Sequence, residues 1–180
     1  MGARRFVLLD RDGTINVEKE YLSSAEGLEL LPNAVAGLRA MRDLGLGLVV
    51  LTNQSGIGRG YFGAEAVAGI HRALAGLLAA GGVSLDGIYV CPHGPEEGCA
   101  CRKPAQGLVV EAARELGFRL EDAFVVGDKA ADIEMGRRVG ATTILVRTGY
   151  GREVESNGGA SPDYVADDLA GAARIIEGLL

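Results

Sequence analysis

Short, unbroken runs of aliphatic and β-branched residues recur along this chain between stretches of helical spacing, and that alternation restricts the fold more than any other feature. Phe6-Val7-Leu8-Leu9, Leu48-Val49-Val50-Leu51, Gly87-Ile88-Tyr89-Val90, Ala123-Phe124-Val125-Val126 and Thr142-Thr143-Ile144-Leu145-Val146 read as strands, with a weaker Tyr164-Val165-Ala166. A strand that is apolar at every position has no face to give to water, so it belongs in a sheet covered on both sides. Helical periodicity from about 34 to 44, and near 64–80, 105–117, 130–139 and 168–179, supplies the covering layers. The expected fold class is α/β, a doubly wound parallel sheet. With 180 residues, 48% hydrophobic and 23% charged, the chain suffices for one domain over 1–180. No insertion of domain size, repeat or linker interrupts the pattern, and residues 156–162 read as a surface loop.

In such sheets ligands gather beyond the carboxyl ends of the strands. The first strand ends in Asp10-Arg11-Asp12-Gly13-Thr14-Ile15-Asn16, the second in Thr52-Asn53-Gln54-Ser55-Gly56 and the fourth in Gly127-Asp128-Lys129-Ala130-Ala131-Asp132; the third runs into Cys91, and Arg102-Lys103-Pro104 soon follows. A lone Asp there is an ordinary turn residue. Asp10 and Asp12 with a distant Asp128 instead offer hard oxygen ligands to a small divalent cation such as Mg²⁺. All three cysteines and one of two histidines form Cys91-x-His93-x5-Cys99-x-Cys101. Four soft or borderline donors in a Pro/Gly-rich loop match a closed tetrahedral zinc site with no position left for a catalytic water.

A net charge of −6 and the absence of Trp argue against a nucleic-acid or membrane-surface partner, since those need a basic face or stacking platforms. No apolar run approaches the ~18 residues of a membrane span, and the start runs into a strand without a signal-like region, so a cytoplasmic protein is expected. Lysine is scarce: Lys19, Lys103 and Lys129 are the only three, against fifteen arginines. Lys103 and Lys129 fall in the polar segments just described, and Lys19 lies in the loop just after the first of them.

DxDGT after the first strand, Thr52 after the second, Lys103 before a helix and GD-x3-D after the fourth strand resemble, in order, the haloacid dehalogenase superfamily of phosphohydrolases. DRDGTIN, TNQSGIGRGY, the Cys/His loop with CRKP and VGDK-x2-D are similar to the subgroup of heptose bisphosphate and histidinol phosphate phosphatases. The resemblance implies Asp10 as nucleophile, Asp12 as general acid and then base, and Thr52 and Asn53 as donors to the phosphoryl group. It further implies Lys103 as its charge stabiliser, and Mg²⁺ held by Asp10, Asp12 and Asp128, with Asp12 contributing its backbone carbonyl. Glu18, Lys19, Glu20 and Tyr21 become a substrate-recognition segment, joined by Gln54, Ser55, Arg102 and Lys129, and the zinc is structural. The implied reaction is a Mg²⁺-dependent phosphomonoester hydrolysis through an aspartyl-phosphate, removing the 7-phosphate of D-glycero-D-manno-heptose 1,7-bisphosphate. Histidinol phosphate or another small phosphate ester is the alternative. The expected partner is thus a small phosphorylated sugar, acted on by a monomer without a large cap domain.

Other features read as structure. His71 shares a helical face with Val67, Leu74 and Leu78 and is expected to pack there. Gly56-x-Gly58-x-Gly60 lacks the strand-to-helix context of a dinucleotide fingerprint and reads as a flexible turn. Asp132 fits either a partner of Lys129 or a cap of the following helix. A receiver-like signalling module also places acidic residues on a parallel sheet, but carries its phosphoaccepting Asp after the third strand, where this chain has Cys91. A zinc-loop module binding nucleic acid would want a basic face.

Overall fold

The computed structural model describes residues 4–180. Six strands, β1 (Phe6–Leu9), β2 (Gly47–Asn53), β3 (Gly87–Cys91), β4 (Phe124–Gly127), β5 (Thr142–Val146) and β6 (Tyr164–Ala166), form one sheet in the order β3-β2-β1-β4-β5-β6. Every pairing is parallel. Between them run α1 (Ala34–Asp43), a single-turn α2 (Ser55–Gly58), α3 (Ala64–Ala80), α4 (Gly107–Leu116), α5 (Ala130–Arg138), α6 (Gly151–Ser156) and α7 (Leu169–Glu177). The order reverses at β1, whose neighbours are β2 and β4. That reversal opens the crevice in which open α/β sheets bind ligands.

The period-2 geometry of a strand sends Val7 and Leu9 to one face and Phe6 and Leu8 to the other. Val7 and Leu9 pack with Leu48, Val50, Val126 and Ile144 beneath Leu38 and Met41 of α1, Leu74 and Leu78 of α3, and Ala172 and Ile176 of α7. Phe6 and Leu8 pack with Val49, Leu51 and Val125 beneath Leu108, Val109 and Ala112 of α4 and Met135 of α5. The central strands are buried on both faces as the sequence predicts, whereas the edge strands β3 and β6 are mostly half-buried. Two differences stand out. The glycine-spaced turn after β2 begins as the helical turn α2, in which a Cβ on Gly56 would stand 2.2 Å from the Phe62 ring. The polar segment before the expected surface loop forms α6, with only Gly151 buried. Among the described residues no helix is long and apolar enough to cross a membrane.

Candidate active site

Leu9 stands opposite Val126, and the Asp10 N–H donates to the Val126 carbonyl at 3.0 Å, so Asp10 and Asp128 leave adjacent strand ends side by side. Asp128 is fully buried. Its Oδ1 accepts from Thr14 Oγ1 at 3.1 Å and its Oδ2 from the Tyr150 N–H at 2.9 Å. Gly13 and Gly149, with φ of +88° and +51°, close over it; a Cβ on either would lie 2.2 Å from Asp128 Oδ2. Both positions therefore need glycine for space as well as for backbone sign. Burial, then the neighbouring Asp10 charge, pushes Asp128 up to about 7.

Two ammonium groups flank Asp10. Lys103 Nζ donates to Asp10 Oδ1 at 2.9 Å and to the Leu51 carbonyl at 2.5 Å, and pairs with Asp132 Oδ1 at 2.7 Å, so its three protons meet three acceptors. Lys129 Nζ donates to the Asp12 carbonyl at 2.7 Å, Asp10 Oδ2 at 3.1 Å and Asp128 Oδ1 at 3.3 Å, with Glu18 Oε2 at 3.0 Å. Burial alone would push the Asp10 carboxyl up, but Lys103 and Lys129 outweigh it and hold Asp10 well below the usual carboxylate range. Likewise burial opposes the charge on both lysines, and the carboxylates around them raise them above the ordinary lysine value. The cage around Lys129 Nζ consists of three carboxylates, those of Asp10, Asp128 and Glu18, and the Asp12 backbone carbonyl, already gathered on a cation. That is a hard-oxygen donor set of the kind Mg²⁺ takes, so Asp10, Asp128 and the Asp12 carbonyl fit the ion, with the ammonium as its stand-in.

The Asp12 carboxylate points elsewhere than into that cage. Its Oδ1 accepts from Asn16 Nδ2 at 2.9 Å and Arg11 Nη2 at 3.0 Å, and its Oδ2 from Gln54 Nε2 at 2.8 Å and Arg11 Nη2 at 2.9 Å. Gln54 Nε2 also reaches Thr52 Oγ1 at 2.8 Å, joining the two strand ends. The Asn53 side chain also lines the cavity, and it bridges to the backbone of Lys103: its Oδ1 accepts the Lys103 N–H at 3.0 Å and its Nδ2 donates one proton to the Lys103 carbonyl at 3.1 Å. Asn53 thus fixes the backbone that carries Lys103. Asp132 caps α5, accepting the Lys129 N–H at 3.1 Å, and its other oxygen pairs with Lys103 in place of the Lys129 ammonium.

Cys91 ends β3 opposite Asn53, and His93, Cys99 and Cys101 curl back onto it. Sulfur and imidazole Nδ1 atoms lie 3.0 to 3.6 Å apart across the cluster. A tetrahedron with Zn–S near 2.3 Å has an edge of roughly 3.7 Å, and all three cysteines are free of disulfides. The donor set fits zinc. The same turn delivers the basic pair: Arg102 N–H donates to Cys99 Sγ at 3.4 Å and Arg102 Nη1 to the His93 carbonyl at 3.2 Å.

These groups open on a cavity of about 450 Å³ whose wall includes Asp12, Glu18, Glu20, Tyr21, Gln54, Ser55, Arg102, Lys103 and Lys129. Lys19 is not among the residues lining the cavity: its Nζ donates to the Gly27 carbonyl at 2.7 Å and lies 3.5 Å from Glu29. Glu20, at φ +55° with its N–H on Glu18 Oε1, turns the chain so that Glu18, Glu20 and Tyr21 face the cavity without Lys19. Tyr150 and Thr14 were missed. Inspection of the residues after β5, Thr148-Gly149-Tyr150-Gly151, by the strand-end rule would have found the first. His71 is a correction, since it does more than pack: its Nε2 lies 3.0 Å from Arg11 Nη1.

The HAD-hydrolase-like family model matches residues 100–172. The D-glycero-β-D-manno-heptose-1,7-bisphosphate 7-phosphatase of Yersinia pestis is 37% identical, over 95% of this chain and 94% of its own. That of Pseudomonas putida is also 37% identical, over 94% and 98%. A crystal structure of D,D-heptose 1,7-bisphosphate phosphatase from B. bronchiseptica, complexed with magnesium and phosphate, superposes with a TM-score of 0.92 at 33% identity, covering 99% of this chain and all of that one. Likeness of this extent, carried through sequence and fold together, makes the chain a member of the haloacid dehalogenase-like hydrolase family, in the branch of the heptose bisphosphate phosphatases.

Proposed function

We propose that the chain is a Mg²⁺-dependent phosphomonoesterase that removes the 7-phosphate of D-glycero-D-manno-heptose 1,7-bisphosphate through an aspartyl-phosphate on Asp10. The observation that carries the reading is the Asp10 carboxylate held between Lys103 and Lys129, both of which line the cavity. The relatives' names supply the substrate. Mg²⁺, held by Asp10, Asp128 and the Asp12 carbonyl, supplies charge neutralisation for the phosphoryl oxygens. Asp10 attacks phosphorus, the P–O bond to the sugar breaks, and Asp12 gives its proton to the departing sugar oxygen. Asp12 then takes a proton from the water that attacks the phosphoryl group, releasing phosphate and restoring Asp10. Lys103 balances the charge of the transferring group, and Thr52 Oγ1 keeps its own proton to donate while accepting from Gln54. Arg102 and Lys129 stand on the cavity wall for the second phosphate and the sugar hydroxyls, beside Glu18, Glu20, Tyr21 and Ser55. Zinc on Cys91, His93, Cys99 and Cys101 serves as a structural ion bracing the turn that presents Arg102 and Lys103.

Phosphorus NMR tests this on the bisphosphate with Mg²⁺ present. The 7-phosphate resonance is expected to disappear while the 1-phosphate persists, and Asp10→Asn to abolish the change. Equal loss of both phosphates, or a higher kcat/KM for histidinol phosphate, would overturn the assignment.

A further inference from the structure

Arg11 is the largest fully buried side chain of the described residues, 0% exposed, and none of the proposed steps uses it. A guanidinium removed from water needs partners for both ends of its planar fork. One end meets Asp12: Nε lies 3.3 Å and Nη2 3.0 Å from Oδ1, and Nη2 lies 2.9 Å from Oδ2. At the other end Nη1 has a single partner among the described residues, Nε2 of His71, at 3.0 Å from α3. We infer that His71 is a positioning residue for Asp12 acting through Arg11, its Nε2 fixing the guanidinium plane that sets the tilt of the Asp12 carboxylate.

Three observations support the inference. His71 has the right protonation: burial foremost, then the Arg11 charge, pushes its imidazole down to about 4, so at neutral pH Nε2 has a lone pair to accept with. It stands outside the reaction cavity, lining a separate small apolar hollow with Ile57, Ala64, Val67 and Val90, so it does not touch substrate there. And both Asp12 oxygens are oriented by side chains, Asn16 and Gln54 completing the ring that Arg11 begins. An acid–base group that must serve a leaving oxygen and then a water gains most from such fixed orientation.

The inference rests on the acid–base role of Asp12 in the proposed function, and the experiment separates the two. Wild type, His71→Leu, His71→Gln and Asp12→Asn are compared with Mg²⁺ on a primary sugar phosphate, whose alkoxide needs a proton, and on 2,4-dinitrophenyl phosphate, whose leaving group does not. For His71→Leu, kcat on the sugar phosphate is expected to fall about 10- to 100-fold, part of the ~10²–10⁴ a positioned acid–base group contributes. KM should stay within about twofold, as expected when an interaction of the transition state is lost. On the dinitrophenyl ester a burst of about one dinitrophenolate per chain should survive, followed by slow turnover, because only the second step then needs Asp12. His71→Gln, whose Oε1 accepts from Nη1, should recover most of kcat; His71→Asn, too short to reach, should not, and gives the same reading if the leucine variant folds poorly. Wild-type kcat in both His71→Leu and His71→Asn, loss of the burst in a folded variant, or failure of glutamine to rescue would overturn the inference. Full sugar phosphate turnover by Asp12→Asn would instead remove the underlying role of Asp12.

Discussion

Replacing Lys103 with Met should separate the stability of the site from its activity. Lys103 Nζ is buried with three acceptors, Asp10 at 2.9 Å, Asp132 at 2.7 Å and the Leu51 carbonyl at 2.5 Å. Methionine of similar length leaves Asp10 and Asp132 facing one another without that cation. Breaking one partner out of a buried pair costs about 3–5 kcal/mol, which for a chain of this size lowers Tm by roughly 6–20 °C. Folding survives wherever total stability exceeds that loss, which holds over all but the low end of the usual range of about 5–15 kcal/mol. Activity should fall about 10²–10³-fold, the effect of removing one preorganised donor to the reacting group. A second substitution, Asp132→Leu, completes a cycle: with both charges gone and apolar side chains in their place, much of the stability returns. Activity does not return, because no cation faces the phosphoryl group. Urea unfolding and kcat/KM of the four proteins measure both axes. A Lys103→Met enzyme as stable as wild type, or a double variant that regains turnover, would refute the reasoning.

Three further expectations follow from the geometry. Lys129→Gln removes the ammonium that holds the oxygen cage, so titration calorimetry should show Mg²⁺ binding more tightly than to wild type; unchanged or weaker affinity would mean that ion and ammonium do not compete for those oxygens. Mild EDTA should remove Mg²⁺ and leave about one zinc per chain by elemental analysis, whereas Cys99→Ser should lose the zinc and melt at lower temperature; a metal-free, equally stable Cys99→Ser protein would contradict a structural ion. His71 sits at about 4 in the folded protein against an ordinary 6.5, so the unfolded chain takes up its proton first. Stability from keeping it neutral is complete above about pH 6.5 and is lost as pH falls toward 4, at most about 3 kcal/mol in all. His71→Gln should flatten that part of the urea midpoint against pH, and an identical slope would argue against a neutral buried imidazole.

The sheet was legible because β1, β2, β4 and β5 are buried on both faces along nearly their whole length and so carry no charged residue, and polar ones only at the ends of β2 and β5. β6, three residues long at an edge, gave a faint signal for the converse reason, and α6 gave none because it buries a single glycine. The site was legible where chemistry is concentrated at strand ends, as at Asp10, Asp12 and Asp128. It was illegible where a side chain's role depends on a partner far along the chain. Arg11 and His71 are 60 positions apart, and helical periodicity gives His71 a face without saying what meets it. The direction of Lys19 was not legible, because proximity to the nucleophile in sequence says nothing about which way a turn points a long side chain. The bridge from the Asn53 amide to the backbone at Lys103, 50 positions away, was equally hidden from the sequence.

Asp10 and Asp128 each follow the last residues of neighbouring parallel strands. Adjacent strands stand about 4.8 Å apart because the peptide hydrogen bond has a fixed length, so the gap between these two carboxylates is ruled by the backbone itself. Substitutions elsewhere can reshape the cavity mouth, through residues 18–21 or the turn that carries Arg102, without altering that ruler. Chemistry and choice of substrate are thereby uncoupled: a lineage can trade one phosphate ester for another by editing loops, while the machinery that breaks the bond is inherited intact with the sheet.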